Sequence, residues 1–166
     1  MKLKQINSLI LSVSFIALVA GCGSPETSEE AGSSADEASV DKEIVITAND
    51  QMKFNLESFE VEAGQTIRLT LNNVGTMPKM SMGHNVVILK QGTDQEAFVE
   101  ASAQAPTNDY IPSAQTDSII AHTKMLGGGE SDSIVFDVPS KKGSYPFLCS
   151  FPGHYQVGMK GTMVVR

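Results

Sequence analysis

Short runs in which apolar and polar residues strictly alternate constrain this chain more than any other feature. Residues 66–72, TIRLTLN, put Ile67, Leu69 and Leu71 on one side and Arg68 and Thr70 on the other. Residues 133–138, SIVFDV, do the same with Ile134, Phe136 and Val138, and SFEVEAG alternates Phe59 and Val61 with Ser58 and Glu60. Period two with one apolar face is the pattern of a half-buried antiparallel strand. Further strands are predicted at 43–48, 84–89, 118–122, 144–149 and 161–166. Turn formers separate them: Asn49-Asp50, Ala63-Gly64, Gly127-Gly128-Gly129 and Lys142-Gly143. One stretch breaks the pattern. Thr93, with Glu96 three residues on, has the capping-box form, and Ala97, Phe98, Ala101 and Ala105 follow at helical spacing, ending before Pro106. About eight strands with one short helical insertion define an all-β sandwich.

The first residues read differently. Lys2 and Lys4 precede an apolar stretch from Leu9 to Ala20 that is too short for a comfortable membrane span. It ends in Val19-Ala20-Gly21-Cys22, which resembles the lipobox of bacterial lipoproteins, where a cysteine is acylated and becomes the new N-terminus. Residues 1–21 are then a lipoprotein signal peptide, and lipid on Cys22 would anchor the mature chain to a membrane surface without a spanning helix. Residues 22–42, rich in Ser, Glu, Ala and Gly, cannot bury enough surface to offset ordering entropy and read as a disordered acidic tether. Residues 43–166 form the folded domain. Acids outnumber bases, 19 to 12, which argues against a nucleic-acid partner.

The chemistry concentrates in CSFPGHYQVGM, residues 149–159. Cys149 ends a strand, His154 follows a Pro-Gly turn, and Met159 stands just before the last strand. A strand–loop–strand corner can aim thiolate, imidazole and thioether at one point. A second imidazole could come from His84, which begins a predicted strand, or from His122, which ends one. Thiolate, two imidazoles and a weak axial thioether make the blue-copper donor set, in which soft sulfur suits Cu(I) and imidazole tolerates both oxidation states. Zinc also takes Cys and His but seldom Met. A catalytic Cys–His pair would leave Met159 without a role and has no orienting carboxylate in the loop.

The segments MPKMSMGHNVVIL, IIAHTKMLGGGESDSIVFDV and YPFLCSFPGHYQVGMKGTMVV resemble the azurin group of the cupredoxin family, periplasmic blue-copper electron carriers. The resemblance implies a Greek-key β-sandwich holding one type 1 copper. It implies His84, Cys149, His154 and Met159 as ligands, with the Gly83 backbone carbonyl approaching the metal weakly from the side opposite the methionine. It releases His122, and it implies that the backbone N–H groups of Asn85 and Phe151 point at the thiolate. Three departures stand out. Four residues (Tyr155, Gln156, Val157, Gly158) separate the last histidine from the methionine where azurins have three, a spacing more like auracyanin; residues 23–148 contain no cysteine for the azurin disulfide; and the chain has no tryptophan. The longer loop implies a four-coordinate site in which Met159 sulfur lies nearer the metal than the Gly83 carbonyl.

The expected function is that of a membrane-anchored single-electron shuttle on the periplasmic side of a bacterial membrane, a monomer and not an enzyme. Transient redox partners would dock near His154 on a rim of Met82, Phe151, Pro152 and Gly153. The alternative is a periplasmic copper-handling protein that does not cycle the metal. Met77, Met80 and Met82 fit either a Cu(I)-acquiring surface or part of that apolar rim. A copper enzyme would need a second metal centre with further histidines, and only His122 remains.

Overall fold

The computed structural model describes residues 39–166; the expected signal peptide, Cys22 and most of the expected tether lie outside them. Among these residues nine strands form two sheets. They are β1 Lys42–Asn49, β2 Lys53–Phe54, β3 Ser58–Val61, β4 Thr66–Asn73, β5 Val87–Leu89, β6 Ile119–His122, β7 Ser131–Asp137, β8 Gly143–Leu148 and β9 Lys160–Val165. One sheet runs β2-β1-β4-β7 and the other β3-β9-β8-β5-β6. Among the described residues two α-helices interrupt the strands, α1 Lys79–Met82 and α2 Gln95–Ala103. Among the described residues no helix is long and apolar enough to cross a membrane.

The alternating runs meet where the two sheets face each other. Ile44, Ile46 and Ala48 of β1 and Ile67, Leu69 and Leu71 of β4 pack with Phe59, Val61, Phe147, Met163 and Val165 of the other sheet. Each fully buried aliphatic or aromatic side chain of this kind contributes about 1.5–3 kcal/mol. The sheets are mixed rather than antiparallel throughout: β1 pairs parallel with β4, Ile44 opposite Leu69, and β3 pairs parallel with β9. Alternation reports that one face is buried, and a strand buries one face equally well in either direction, so the pattern could not give direction.

The strand expected at 84–89 is shorter, because His84 makes only an isolated bridge to Leu126 before β5 begins. In β5 all three residues are buried. Val86 and Ile88 face the main core, while Val87 and Leu89 join Leu148, Phe98, Val99, Ile111 and Tyr155 in a second cluster. The helical insertion therefore covers the outer face of β5 and β8. Its cap lies one residue later than expected: the Asp94 carboxylate, not the Thr93 hydroxyl, accepts the N–H groups of Glu96 and Ala97. The buried face is correspondingly Phe98, Val99 and Ser102, with Ala97 exposed. Neither β2 nor α1 was expected, each being too short to show a period.

Candidate metal centre

Strand β8 carries its core face one step beyond its end. Tyr145 and Phe147 point inward, and Cys149, two residues on, continues that side and is fully buried. The chain then turns through Pro152 and Gly153, whose φ of +86° is left-handed and suits glycine. The His154 N–H donates to the Phe151 carbonyl at 3.1 Å, and the Met159 N–H donates to the His154 carbonyl at 3.0 Å. The Cys149 N–H donates to the Met159 carbonyl at 3.1 Å, so the loop closes across the β8–β9 pair. Met159 is itself fully buried.

His84 arrives from the opposite side. Its N–H donates to the Leu126 carbonyl at 3.0 Å and its carbonyl accepts from the Leu126 N–H at 2.8 Å. Gly83 is forced by close approach, because a Cβ there would lie 2.6 Å from the Lys79 carbonyl oxygen and 2.9 Å from the Met125 side chain. The two sides are tied by Asn85, whose Oδ1 accepts the Ser150 N–H at 2.9 Å and whose Nδ2 donates to Ser150 Oγ at 2.9 Å.

The result brings three donors together. Ligand atoms of His84, Cys149 and His154, all from buried residues, lie within 4.8 Å of one another. Cys149 Sγ is 3.4 Å from His154 Nδ1 and 3.9 Å from the Gly83 carbonyl oxygen. That spacing suits bonds of about 2.0–2.3 Å from sulfur and nitrogen to one shared ion. Neither ring nitrogen of fully buried His84 has a hydrogen-bond partner. A buried polar atom left unpaired is costly, and coordination of a metal ion by the ring would offset that cost.

Electrostatics point the same way. Burial pushes the Cys149 thiol up to about 11, opposed by the backbone N–H groups of Asn85 and Phe151, which favour the thiolate. Burial, with the neighbouring His84, pushes His154 down to about 4. Burial also lowers His84; the Asn49 carbonyl and the Asp50 charge oppose this, without a hydrogen bond of good geometry to the ring. At neutral pH the metal-free site thus holds a thiol and two neutral imidazoles. A cation entering it displaces one proton and meets one compensating charge. Soft sulfur with two imidazoles is a copper-type donor set.

His122 is not in this cluster. It is exposed on β6, its Nδ1 3.1 Å from the Thr123 carbonyl oxygen. Over the site, the Phe151 ring packs on His154 with centroids 4.7 Å apart, and Tyr110 meets Phe151 edge-on at 5.1 Å. Pro152 and Gly153 are exposed and Met82 half-buried, while His154 retains only 2% exposure. Met80, at 84%, is the most exposed large apolar side chain among the described residues. Sequence reasoning did not find the Ser150 side chain, the Leu126 bridge or the Tyr110 packing. Each is a contact between distant segments for which no local pattern exists.

A two-sheet β-sandwich with a buried Cys-His-His cluster at one end is the architecture of a small copper protein. The chain belongs to the plastocyanin/azurin family of copper-binding proteins, whose model matches residues 40–166. It is 40% identical over 124 residues to azurin of Alcaligenes faecalis, covering 73% of this chain and 95% of that one. Azurin of Bordetella pertussis is 40% identical over 132 residues, with 78% and 84% covered. Among solved structures, dithionite-reduced auracyanin from the photosynthetic bacterium Roseiflexus castenholzii is 38% identical with a TM-score of 0.68, covering 77% of this chain and 99% of that one. Auracyanin B is 32% identical with a TM-score of 0.67, covering 78% and 91%.

Proposed function

We propose that the protein is a type 1 copper electron carrier, with His84, Cys149, His154 and Met159 as ligands and the Gly83 carbonyl as a weak neighbour. The observation that carries this is the convergence of three buried donors, one of them an imidazole with no hydrogen bond of good geometry. Bound copper supplies a one-electron couple between Cu(I) and Cu(II). The protein's part is to hold the donors so that little rearrangement accompanies the change of charge. The loop hydrogen bonds and the Asn85–Ser150 link supply that rigidity, and the N–H groups on Cys149 stabilise negative charge on sulfur. Phe151, Pro152, Gly153 and Met82 offer an apolar rim for transient docking of a redox partner near His154. Lipid on Cys22 would hold the carrier on the periplasmic side of a bacterial membrane, with the acidic tether giving reach.

Titration of the metal-free protein with a copper(II) salt tests the reading. An intense visible thiolate-to-copper band with reversible one-electron cycling is expected; a colourless Cu(II) adduct would instead favour copper handling. Mass spectrometry of the mature N-terminus tests the anchor, and an unmodified N-terminus other than Cys22 would reject it.

A further inference from the structure

The His84 ring has no hydrogen bond of good geometry, so its placement leans on the backbone that delivers it. That backbone runs from the end of β4 through residues 74–78 and α1 to Gly83, and residues 74–78 belong to no sheet. One carboxylate grips them. Asp50 Oδ2 accepts the Thr76 N–H at 2.9 Å and the Thr76 hydroxyl at 3.0 Å, and Oδ1 accepts the Met77 N–H at 3.3 Å. The fit is close enough that a Cβ on Gly75 would lie 2.2 Å from Asp50 Oδ1. From the other side the glycine turn presses in. The Gly128 N–H donates to the Met77 carbonyl at 2.9 Å, and a Cβ on Gly128 would lie 2.6 Å from Thr76 backbone atoms. The next residues of that side include Leu126, the bridge partner of His84.

We propose that Asp50 is a positioning residue: by clamping Thr76 and Met77 against the Gly127–Gly128 turn, it fixes the path that brings His84 to Cys149 and His154. The inference rests on the copper reading above. It assigns a role to a carboxylate on the surface turn between β1 and β2, remote in sequence from every proposed ligand. The clamp explains how an imidazole without a well-formed hydrogen bond can be pre-placed in the metal-free protein. It also separates the two jobs of the β1–β2 turn, since Asn49 carries the carbonyl that faces the ring and Asp50 holds the loop.

The test compares Asp50→Ala and Asp50→Asn with wild type, using Glu60→Gln as a control that loses an exposed carboxylate pairing with Arg166 on the far side of the sandwich. Three readouts are taken: amide hydrogen exchange in the metal-free proteins, copper affinity by competition with a chelator, and the visible spectrum. In Asp50→Ala the Thr76 and Met77 amides should exchange about tenfold faster or more. Copper affinity should fall about 10-fold, the scale typical of losing a partner that orients a ligand, with a shifted thiolate band. Asp50→Asn, which keeps one acceptor oxygen, should fall between, and Glu60→Gln should match wild type. Wild-type affinity and spectrum in Asp50→Ala would overturn the proposal, as would an equal loss in Glu60→Gln. If wild type itself takes up copper without a thiolate band, the copper reading fails instead. The exchange rates at 76, 77 and 84 in the metal-free protein then still decide whether Asp50 holds the loop.

Discussion

The two halves of the metal centre are built in opposite ways. The downstream half is one loop of eleven residues, 149–159, which carries Cys149, His154 and Met159 and closes on itself through hydrogen bonds among its own members. The upstream half contributes a single imidazole whose ring lacks a hydrogen bond of good geometry and whose backbone is held by a relay of distant contacts: Asp50, the Gly127–Gly128 turn and the Leu126 bridge. A self-contained loop can keep its donors together through sequence change elsewhere. The imidazole on the other side is only as well placed as the sandwich behind it. The difference teaches that the downstream loop specifies which ion can bind, while the upstream segment sets how far the site is formed before it does.

The strongest blow falls on the downstream half. Cys149→Ser replaces the only soft anionic donor with a hydroxyl that matches copper poorly. The visible thiolate band should vanish entirely, with the fold intact by circular dichroism. Any surviving band would remove Cys149 from the site.

This asymmetry also governs what could be read in advance. The meeting of Cys149 and His154 was legible because a strand end and a Pro-Gly turn fix their neighbourhood locally. The choice between His84 and His122 was not, since both flank β-strands and only sheet pairing decides. In the structure Val87 of β5 lies between Leu148 of β8 and His122 of β6, and His122 faces outward. The family resemblance named His84, the histidine that the structure brings beside Cys149 and His154. Strand existence was legible from period two; strand direction was not, because burial of one face is the same for parallel and antiparallel neighbours. The cap of α2 shifted from Thr93 to Asp94 because both residues can cap and only the entry angle of the chain selects.

A pH scan of the metal-free protein separates the two kinds of donor. Both imidazoles titrate below their ordinary 6.5 when folded, His154 near 4. Between those values the unfolded chain holds more protons than the folded one, so stability falls as pH drops from about 6.5 toward 4. The thiol runs the other way: raised from 9.0 to about 11, it keeps its proton when folded after the unfolded chain has lost it, so stability falls as pH rises from 9 to 11. Urea midpoints should therefore be highest between these limbs, and Cys149→Ser should erase the alkaline limb while leaving the acid one. An unchanged alkaline limb would show that another group controls it.

Cutting the link between the halves should cost less. Asn85→Ala leaves the buried Ser150 N–H without an acceptor, a loss of about 1–3 kcal/mol in the metal-free protein by urea unfolding. It should leave a thiolate band, but a broadened one, because each half keeps its own donors while their relative placement loosens. A sharp wild-type band in this variant would show that the halves are aligned without it. Shortening the loop is subtler still. Deleting Gln156, which is exposed, brings the spacing before Met159 to the azurin length. The wild-type copper spectrum is expected to be rhombic, as for a four-coordinate site, and should move toward axial character in the shortened protein with little change in affinity. A rhombic spectrum in the shortened protein would show that loop length does not set the axial geometry.

The smallest effect is expected at the histidine that belongs to neither half. His122 lies at the edge of the five-stranded sheet, opposite Val87, with its ring turned to solvent and Nδ1 engaged by the Thr123 carbonyl. The next residue, Thr123, is the one that reaches inward, its hydroxyl accepting the Val86 N–H at 3.0 Å two residues from His84. His122→Ala removes an exposed ring and leaves that inward contact in place. The stability change should stay within about 0.5 kcal/mol, as for an ordinary surface substitution, and band position, copper affinity and potential should match wild type. Thr123→Ala is the paired measurement, since it spares the histidine but strips the Val86 N–H of its partner beside the upstream half. It should disturb the site more than loss of the whole imidazole does. The reverse order would mean that the surface histidine reaches the metal after all, and that the upstream half had been assigned to the wrong residue.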